Sequence, residues 1–282
     1  MTAKIIDGKA IADRLRADYR LRVDDLKTRH GVTPALAVIL VGDNPASRSY
    51  VRGKIAGCKQ VGIRSELIEL PATVEESELL ARIQLLNDDP AIHGILVQLP
   101  LPPQIRVASV VERISVEKDV DGFHLYNMGG LVTGNTVFSP CTPYGVQKIL
   151  EYEQIAVEGR NVVVVGASNL VGKPTALLLL KNNATVTLCH TRTKDLAGHT
   201  RSADILVAAA GRAGLIGKDM VKPGSAVVDV STNWVGGRQV GDLGGGVEEV
   251  AGWLTPNPGG VGPMTRAMLI KNTYEAEVRR RP

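Results

Sequence analysis

Aromatic residues are scarce in this chain, at 4% of its 282 positions. Apolar residues nevertheless make up 44% of the sequence, so a buried core must consist mainly of Val, Ile, Leu and Ala. Parallel strands that alternate with helices have this composition, because such strands are covered on both faces. The length is sufficient for more than one core, and we expect two α/β domains.

Cysteine is also rare. Cys58, Cys141 and Cys189 lie far apart and form no CxxC pair, which argues against a disulfide framework and against a metal site. No stretch approaches the ~20 apolar residues of a membrane-spanning helix, and the first residues lack the apolar core of a signal peptide. We therefore expect a cytoplasmic protein with no membrane partner and no bound metal.

The excess of positive over negative charge is small. The formal net charge is +4 at pH 7 and is spread along the chain, except for the run Arg279 to Arg281. We interpret that run as a solvated chain end and expect no nucleic-acid partner. A modest positive field still favours anionic small molecules, including phosphate-bearing cofactors.

Short apolar runs alternate with helical patterns in both halves of the chain, which predicts repeated βα units. Residues 103–145 have weaker periodicity and contain turn pairs such as Asp121-Gly122, so loops and a domain boundary near Thr142 are predicted there. The predicted strands cover 35–41, 64–70, 93–99, 162–165, 184–189, 205–210 and 226–230, and the last predicted helix covers 265–279.

A run of four valines, Val162 to Val165, leads into a glycine turn and then an apolar helix. This order is typical of a pyrophosphate site, in which glycines allow a tight turn and close packing of helix on strand. The first and last glycines are one residue further apart than in GxGxxG, so an ordinary βα turn is the alternative. The cofactor-binding positions predicted here are Gly166, Ala167, Ser168, Val171, Gly172 and Pro174.

The following predicted strand ends at Cys189 and continues into His190, Thr191 and Arg192. A fold that binds NAD offers Asp or Glu to the ribose hydroxyls at this point, and no acid is present. A guanidinium matches phosphate oxygens in a bidentate way, so Arg192, helped by Thr191, favours NADP over NAD. A protein that binds NADP without catalysis, as a sensor, would carry the same features.

Three polar groups from different βα units can converge on one crevice. Tyr50 and Lys54 lie four residues apart on a predicted helix, Gln98 follows the third strand, and Asp121 lies in an acidic loop. Each has a structural alternative: the Tyr-Lys pair can be a solvated face, Gln98 can cap a strand, and Asp121 can hold an Asx-turn before Gly122.

Together, five motifs resemble the bifunctional methylenetetrahydrofolate dehydrogenase/cyclohydrolase family, in that family's order and over nearly the whole chain. The resemblance implies NADP-dependent oxidation of 5,10-methylenetetrahydrofolate to the methenyl form, followed by hydrolysis to 10-formyltetrahydrofolate. It also implies two α/β domains that form a cleft, and a homodimer. The motifs are Tyr50-x-x-x-Lys54, Val97-Gln98-Leu99-Pro100-Leu101-Pro102, Lys118-Asp119-Val120-Asp121-Gly122, Gly166-x-Ser168-x-x-Val171-Gly172-x-Pro174 and Pro258-Gly259-Gly260-Val261-Gly262-Pro263-Met264-Thr265.

The resemblance also implies a role for each segment. Residues 1–141, joined by a C-terminal helix 263–282, would form the folate-binding catalytic domain, and 142–262 a Rossmann-type NADP-binding domain with a mainly parallel sheet. Lys54 would be the catalytic base or polariser, Gln98 its hydrogen-bonding partner, Tyr50 the surface under the aminobenzoyl ring and Asp121 the pterin anchor. Further folate contacts would be Val97, Leu99, Pro258, Gly259, Gly260, Val261 and Gly262, and further cofactor contacts His190, Thr191, Arg192 and Thr232.

Some positions depart from the family pattern. Ala167 stands where some members have an arginine for the 2′-phosphate, which leaves Arg192 with more of that task. Ser231-Thr232 replaces a glycine and an aliphatic residue beside the nicotinamide. Short-chain dehydrogenases also use Tyr-x-x-x-Lys, but their glycine turn precedes that pair, whereas Tyr50 comes more than a hundred residues before Gly166.

Overall fold

The computed structural model describes residues 2–281. Helices and strands alternate along most of this range, and each kind is numbered in chain order. The strands are β1 Lys4–Ile5, β2 Ala35–Val41, β3 Arg64–Leu70, β4 Gly94–Val97, β5 Asn161–Val165, β6 Thr185–Cys189, β7 Ile205–Ala208, β8 Ala226–Asp229, β9 Asn233–Val235, β10 Arg238–Val240 and β11 Trp253–Leu254. The helices are α1 Gly8–His30, α2 Pro45–Gln60, α3 Glu76–Asp88, α4 Val107–Arg113, α5 Leu125–Thr133, α6 Cys141–Tyr152, α7 Gly172–Lys181, α8 Leu196–Arg201 and α9 Val261–Val278.

The chain forms two compact units. One contains the chain up to Ala12 together with Thr142–Thr265, and the other contains Asp13–Cys141 together with the chain from Arg266 onwards. The predicted domain division assigned the first twelve residues to the same domain as residues 13–141, whereas the structure places them with Thr142–Thr265. The reason is that β1 pairs in parallel with β11, Lys4 with Trp253 and Ile5 with Leu254.

A three-stranded parallel sheet, in the order β3-β2-β4, lies in the unit that contains Asp13–Cys141. Every residue of β2 is buried, as expected for a central parallel strand covered on both faces. Leu79 and Ile83 of α3 pack against this sheet. The register pairs Ile39 with Val97, so the chain leaves β2 and β4 at the same edge of the sheet.

Helix α2 follows β2 and begins with a capped first turn. The Asn44 side chain accepts a hydrogen bond from the Ser47 N–H at 3.1 Å, and Pro45 occupies the first helical position. An N-cap oxygen satisfies a donor that the helix itself leaves free, and proline has no N–H to satisfy there. The cap fixes the residue at which α2 begins. It therefore also fixes how far along the helix Tyr50 and Lys54 lie from the end of β2.

The other unit contains a six-stranded sheet in the order β6-β5-β7-β8-β11-β1, with all pairs parallel. Leaving aside the edge strand β1, the strands follow one another as 2-1-3-4-5 along the chain. Successive connections therefore run in opposite directions from β5, and open α/β sheets bind ligands at this switch point between β5 and β7. The predicted fold of two α/β domains with mainly parallel sheets is confirmed.

Residues 103–145 were predicted as loops, and that prediction is wrong. They contain α4, α5 and the start of α6. Helix α4 has seven residues and α5 has nine, too few for a helical period to stand out in the sequence. Two adjacent glycines, Gly129 and Gly130, also lie inside α5. Within residues 2–281, no helix combines the length and apolar character needed to cross a membrane.

Candidate active site

Lys54 and Gln98 form a direct hydrogen bond. The Lys54 Nζ donates to Gln98 Oε1 at 3.1 Å, which joins helix α2 to the residue that follows β4. The Gln98 Nε2 donates to the Leu99 carbonyl at 2.7 Å, and the Gln98 backbone N–H donates to the Ile39 carbonyl at 2.9 Å. Both ends of the Gln98 amide are thus engaged, so its oxygen is held facing the amine. The side chain of Gln98 is buried, whereas Lys54 is half-buried and reaches solvent.

Asp121 belongs to the same neighbourhood, as the electrostatics of the buried thiol of Cys141 show. Burial raises the pKa of this thiol well above its usual value, the Asp121 carboxylate raises it further, and Lys54 acts in the opposite direction. The carboxylate and the amine therefore act on one sulfur atom. The hydrogen bond joins the amine of Lys54 to the amide of Gln98, and the carboxylate of Asp121 contacts the thiol of Cys141 in the same unit, so the convergence of all three groups stays a prediction.

The carboxylate that holds the turn before Gly122 belongs to Asp119. Its Oδ1 accepts from the Gly122 N–H at 3.1 Å, and its Oδ2 accepts from the His124 N–H and from the Asn127 Nδ2, each at 2.8 Å. The alternative interpretation of Asp121 as an Asx-turn residue is therefore wrong. Asp121 is half-buried, and its side chain contacts the thiol of Cys141.

Two supporting residues were missed by sequence reasoning. Buried Lys118 donates from Nζ to the carbonyls of Leu86, Asn87 and Asp89 at 2.7–2.9 Å, which completes the hydrogen bonding at the end of α3. Burial lowers the pKa of this ammonium. Asn127 accepts on Oδ1 from the N–H groups of residues 137 and 138, which ties the Asp121 loop to the segment before Cys141. Neither pattern is visible in one sequence, because the partners lie 10 to 32 positions away.

The other predicted folate contacts divide between the two units. Tyr50 lies one turn before Lys54 on α2 and is 41% exposed, Val97 ends β4, and Leu99 follows Gln98. The segment Pro258 to Gly262 belongs to the other unit; it follows β11 and includes the first two residues of α9. Within that segment Pro258 and Gly262 are exposed, whereas Gly260 and Val261 are buried.

The glycine turn after β5 has the shape of a phosphate cradle. Gly166 has φ +120°, and a Cβ there would overlap the backbone of Ala209 after β7. A Cβ on Gly172 would overlap the Gly166 carbonyl, so a side chain at either position would push helix α7 away from the strand. Ser168 Oγ accepts from the N–H groups of Val171 and Gly172 at 3.2 and 3.3 Å, which closes the turn onto the first residue of α7.

The turn after β6 presents an exposed guanidinium. The Arg192 N–H donates to His190 Nδ1 at 3.1 Å, and the His190 N–H donates to Thr193 Oγ1 at 2.8 Å. Thr191 and Arg192 are exposed, and within residues 2–281 no carboxylate forms an ion pair with Arg192. Strands β5 and β6 are paired neighbours, so this turn and the glycine turn lie at the same edge of the sheet. Residues of this kind fit a phosphorylated ribose beside a pyrophosphate.

Thr232 follows β8 and is exposed next to a buried network that the sequence did not reveal. Asp242 accepts from the N–H groups of Ala210, Gly211 and Arg212 at 2.6–3.1 Å and from Ser231 Oγ at 2.7 Å. A second buried carboxylate, Asp229, accepts from the Asp242 N–H at 3.1 Å, and burial raises its pKa. The network fixes the segments after β7 and β8, at the edge where a dinucleotide binds.

Comparisons with known proteins agree with this geometry. The family model described as tetrahydrofolate dehydrogenase/cyclohydrolase, catalytic domain, matches residues 6–121, and the model for the NAD(P)-binding domain of the same family matches residues 140–281. The bifunctional protein FolD of Paraburkholderia xenovorans (strain LB400) is 57% identical over 281 residues, which cover 99% of this chain and 98% of the relative.

Two solved structures are similar along their whole length. The bifunctional FolD methylenetetrahydrofolate dehydrogenase/cyclohydrolase of Campylobacter jejuni has a TM-score of 0.97 at 46% identity, with 99% of this chain and 100% of that chain covered. The Trypanosoma brucei enzyme, solved with NADP and an inhibitor, has a TM-score of 0.95 at 38% identity, with both chains covered completely. The chain described here therefore belongs to the tetrahydrofolate dehydrogenase/cyclohydrolase family.

Proposed function

We propose that this chain oxidises 5,10-methylenetetrahydrofolate to 5,10-methenyltetrahydrofolate with NADP and hydrolyses the product to 10-formyltetrahydrofolate. The observation that carries the proposal is the hydrogen bond between Lys54 and Gln98 at the carboxyl edge of the three-stranded sheet. Asp121 acts on the thiol of Cys141 together with Lys54. A family model for the catalytic domain covers these positions. Full-length relatives of 57% identity are bifunctional proteins.

Lys54 is the reacting group of the hydrolytic step in this proposal. The methenyl product carries positive charge across N5, the one-carbon unit and N10, and water attacks that carbon. The amine of Lys54 takes a proton from the water as the π electrons of the C–N bond move to nitrogen, and Gln98 Oε1 orients the amine by accepting one of its hydrogens. The resulting carbinolamine loses its hydroxyl proton, its carbonyl forms as the bond from that carbon to N5 breaks, and N5 takes a proton, which leaves the formyl group on N10. Since Gln98 is itself fixed by the Leu99 carbonyl, the amine keeps one direction through the step.

Folate binding is assigned to the groups around this pair. Asp121 accepts two N–H bonds from the amino-pyrimidinone edge of the pterin, because a carboxylate accepts such bonds more strongly than a neutral side chain. Tyr50 lies one turn from Lys54 and offers its partly exposed ring to the aminobenzoyl group. We assign Val97, Leu99 and the segment Pro258 to Gly262 to the folate side as well.

The cofactor is assigned to the turns that follow the strands of the six-stranded sheet. When bound, NADP accepts the hydride that the folate loses. The pyrophosphate fits the turn from Gly166 to Gly172, where a side chain at either glycine would fill the cradle. Arg192 is assigned to the 2′-phosphate, and Thr232 to the nicotinamide side, next to the network built on Asp242. Within residues 2–281 no cluster of His, Cys, Asp and Glu side chains could hold a metal ion, and the reaction as written uses none.

We also propose that the enzyme works in the cytoplasm as a homodimer, without a nucleic-acid partner. Three cysteines that stay free and buried suit a reducing compartment. The homodimer follows from the family resemblance, and it predicts a solution mass of twice the 30.1 kDa of one chain.

The experiment is a spectrophotometric assay of the purified protein with methylenetetrahydrofolate and each nicotinamide in turn, followed by hydrolysis of methenyltetrahydrofolate. The Lys54→Gln variant should lose hydrolysis by roughly 100-fold or more, the usual contribution of a positioned base, while NADP affinity stays unchanged.

Lys59→Gln is the matched control, because Lys59 lies on the same helix with an exposed side chain. It should leave both activities at the level of the unmodified protein. Unchanged hydrolysis by Lys54→Gln would remove Lys54 from the mechanism. NADP binding without turnover of any folate would instead identify a non-catalytic sensor.

A further inference from the structure

Helix α9 contributes a buried amide to the loop that carries Asp121. Asn272 is 1% exposed, and its Nδ2 donates to the Val120 carbonyl at 2.9 Å and to the Ser139 carbonyl at 3.1 Å. The Cys141 Sγ lies 3.7 Å from the same Nδ2 and donates to the Val120 carbonyl at 3.3 Å. The carbonyl of Val120 therefore has two donors, and both come from outside its own loop.

This carbonyl belongs to the peptide plane that joins Val120 to Asp121. Two donors on the oxygen fix the rotation of the plane, and the direction in which the Asp121 side chain leaves the backbone depends on that rotation. Asp119 fixes the loop on the other side by binding the N–H of Gly122. The Asp121 backbone is thus held immediately before and immediately after the residue.

We propose that Asn272 is a positioning residue for folate, which acts by aiming the Asp121 carboxylate at the pterin. The inference rests on the proposed function, because it needs Asp121 to bind substrate. Asn272 itself has no path to the ligand, since it is buried and both carbonyls that it binds belong to the protein. A group misplaced by about 1 Å can lose much of its binding contribution, so the loss of this amide should be measurable at the substrate.

Asn272→Leu tests the inference, because leucine has the same branching and the same number of side-chain heavy atoms but no donor. We expect the KM for methylenetetrahydrofolate to rise roughly tenfold while kcat and the Kd for NADP change by less than about twofold. Thr273→Val is the matched control: Thr273 is equally buried on the same helix, but its hydroxyl binds the Leu269 carbonyl within α9. This variant should leave the folate KM unchanged.

A double-mutant cycle with Asp121→Ala separates positioning from general destabilisation. If Asn272 acts through Asp121, Asn272→Leu should add little to the folate KM once the carboxylate is absent. An equal loss in both backgrounds would overturn the inference, and so would an unchanged folate KM in the single variant. Should the leucine variant fail to fold, Asn272→Ala gives the same comparison.

The outcomes for the proposed function and for Asn272 are distinguishable. A normal folate KM in Asp121→Ala would refute the role of Asp121 in binding and with it the basis of the inference. A raised folate KM in Asp121→Ala together with a normal one in both Asn272 variants would refute the positioning role alone.

Discussion

At the scale of single residues, the sequence was informative where one side chain carries the chemistry. Lys54 and Gln98 were predicted to meet because a helix face and a strand end can be located from periodicity, and they do meet. The roles of Asp119 and Asp121 could not be separated in this way. Both are acids two positions apart beside a glycine, and only the backbone path decides which carboxylate reaches the Gly122 N–H.

The two acids should therefore differ in what their substitution changes. Asp121→Ala should raise the KM for methylenetetrahydrofolate by roughly tenfold to hundredfold, since a hydrogen bond to a charged group contributes about 1.5–3 kcal/mol. Its free energy of unfolding should change little, because the half-buried carboxylate holds no turn. Steady-state kinetics and urea unfolding of the same preparations measure both quantities.

Asp119→Ala is the counterpart. It leaves the His124 N–H and the amide of Asn127 without their acceptor, and the Gly122 N–H keeps only the Asp119 carbonyl. It should therefore lower the free energy of unfolding by several times the change in Asp121→Ala. Equal stability of the two variants would contradict this division of roles.

At the scale of elements, long periodic segments were predicted well and short ones were not. Strands β2 and β3 have the predicted limits, because unbroken apolar or alternating runs end at turn residues. Helices α4 and α5 were missed, and so was the hairpin of β9 and β10, since three residues per strand give no alternation to detect. The turn after β6 was located correctly, because the strand ends at Cys189 as predicted.

That turn yields a prediction about cofactor choice. Arg192→Gln removes the guanidinium assigned to the 2′-phosphate, so the KM for NADP should rise roughly tenfold to hundredfold while the KM for NAD changes by less than about twofold. Arg160→Gln is the control, because Arg160 is an exposed arginine at the opposite, amino end of β5. An equal effect on both nicotinamides would show that Arg192 contributes only a general attraction for anions.

The start of α3 is joined to the start of α4 by an ion pair that should respond to pH. Glu76 Oε2 accepts from the Arg106 N–H at 2.6 Å, and Oε1 accepts from its Nη2 at 2.8 Å. These bonds to Arg106 lower the pKa of Glu76 to about 2 in the folded chain, from 4.5 in an unperturbed one. The stabilisation is therefore complete above pH 4.5 and is lost as the pH falls towards 2.

Urea unfolding of the unmodified protein and of Glu76→Gln at several pH values tests this. The difference in unfolding free energy between the unmodified protein and Glu76→Gln should be constant from pH 7 to about 5. It should decrease steadily below pH 4.5. Glu78→Gln, in the same first turn of α3, is the control and should show no such decrease. A difference that is as large at pH 3 as at pH 7 would contradict the assignment.

At the scale of the whole molecule, the class of fold can be predicted from composition and from the alternation of strand and helix patterns. The division of the chain into two compact units cannot. The start of the chain joins the sheet of the later half through two residues of β1, a pairing too short to be read from sequence. Two of the unit boundaries fall inside α1 and α9, and the third falls at the first residue of α6. Helices α1 and α9 thus both begin in the unit that contains Thr142–Thr265 and continue into the other.

This connectivity predicts that the two units unfold together. Unfolding either one would break helices α1 and α9, whose remaining turns belong to the other unit, so neither should open alone. The three cysteines report on this, because Cys58 and Cys141 lie in one unit and Cys189 in the other. All three thiols are buried, and burial raises the pKa of each, that of Cys58 to about 11.

Labelling of the native protein at pH 8 with a thiol reagent should therefore be slow, because a buried thiol is neither exposed nor ionised, and it should speed up sharply in denaturant. If opening is concerted, Cys189 and Cys58 should react with the same rate constant under conditions in which opening limits labelling. Cys58→Ala and Cys189→Ala assign the signal to each unit. A rate for Cys189 that exceeds that of Cys58 by tenfold or more would show that the six-stranded sheet opens independently, in spite of the shared helices.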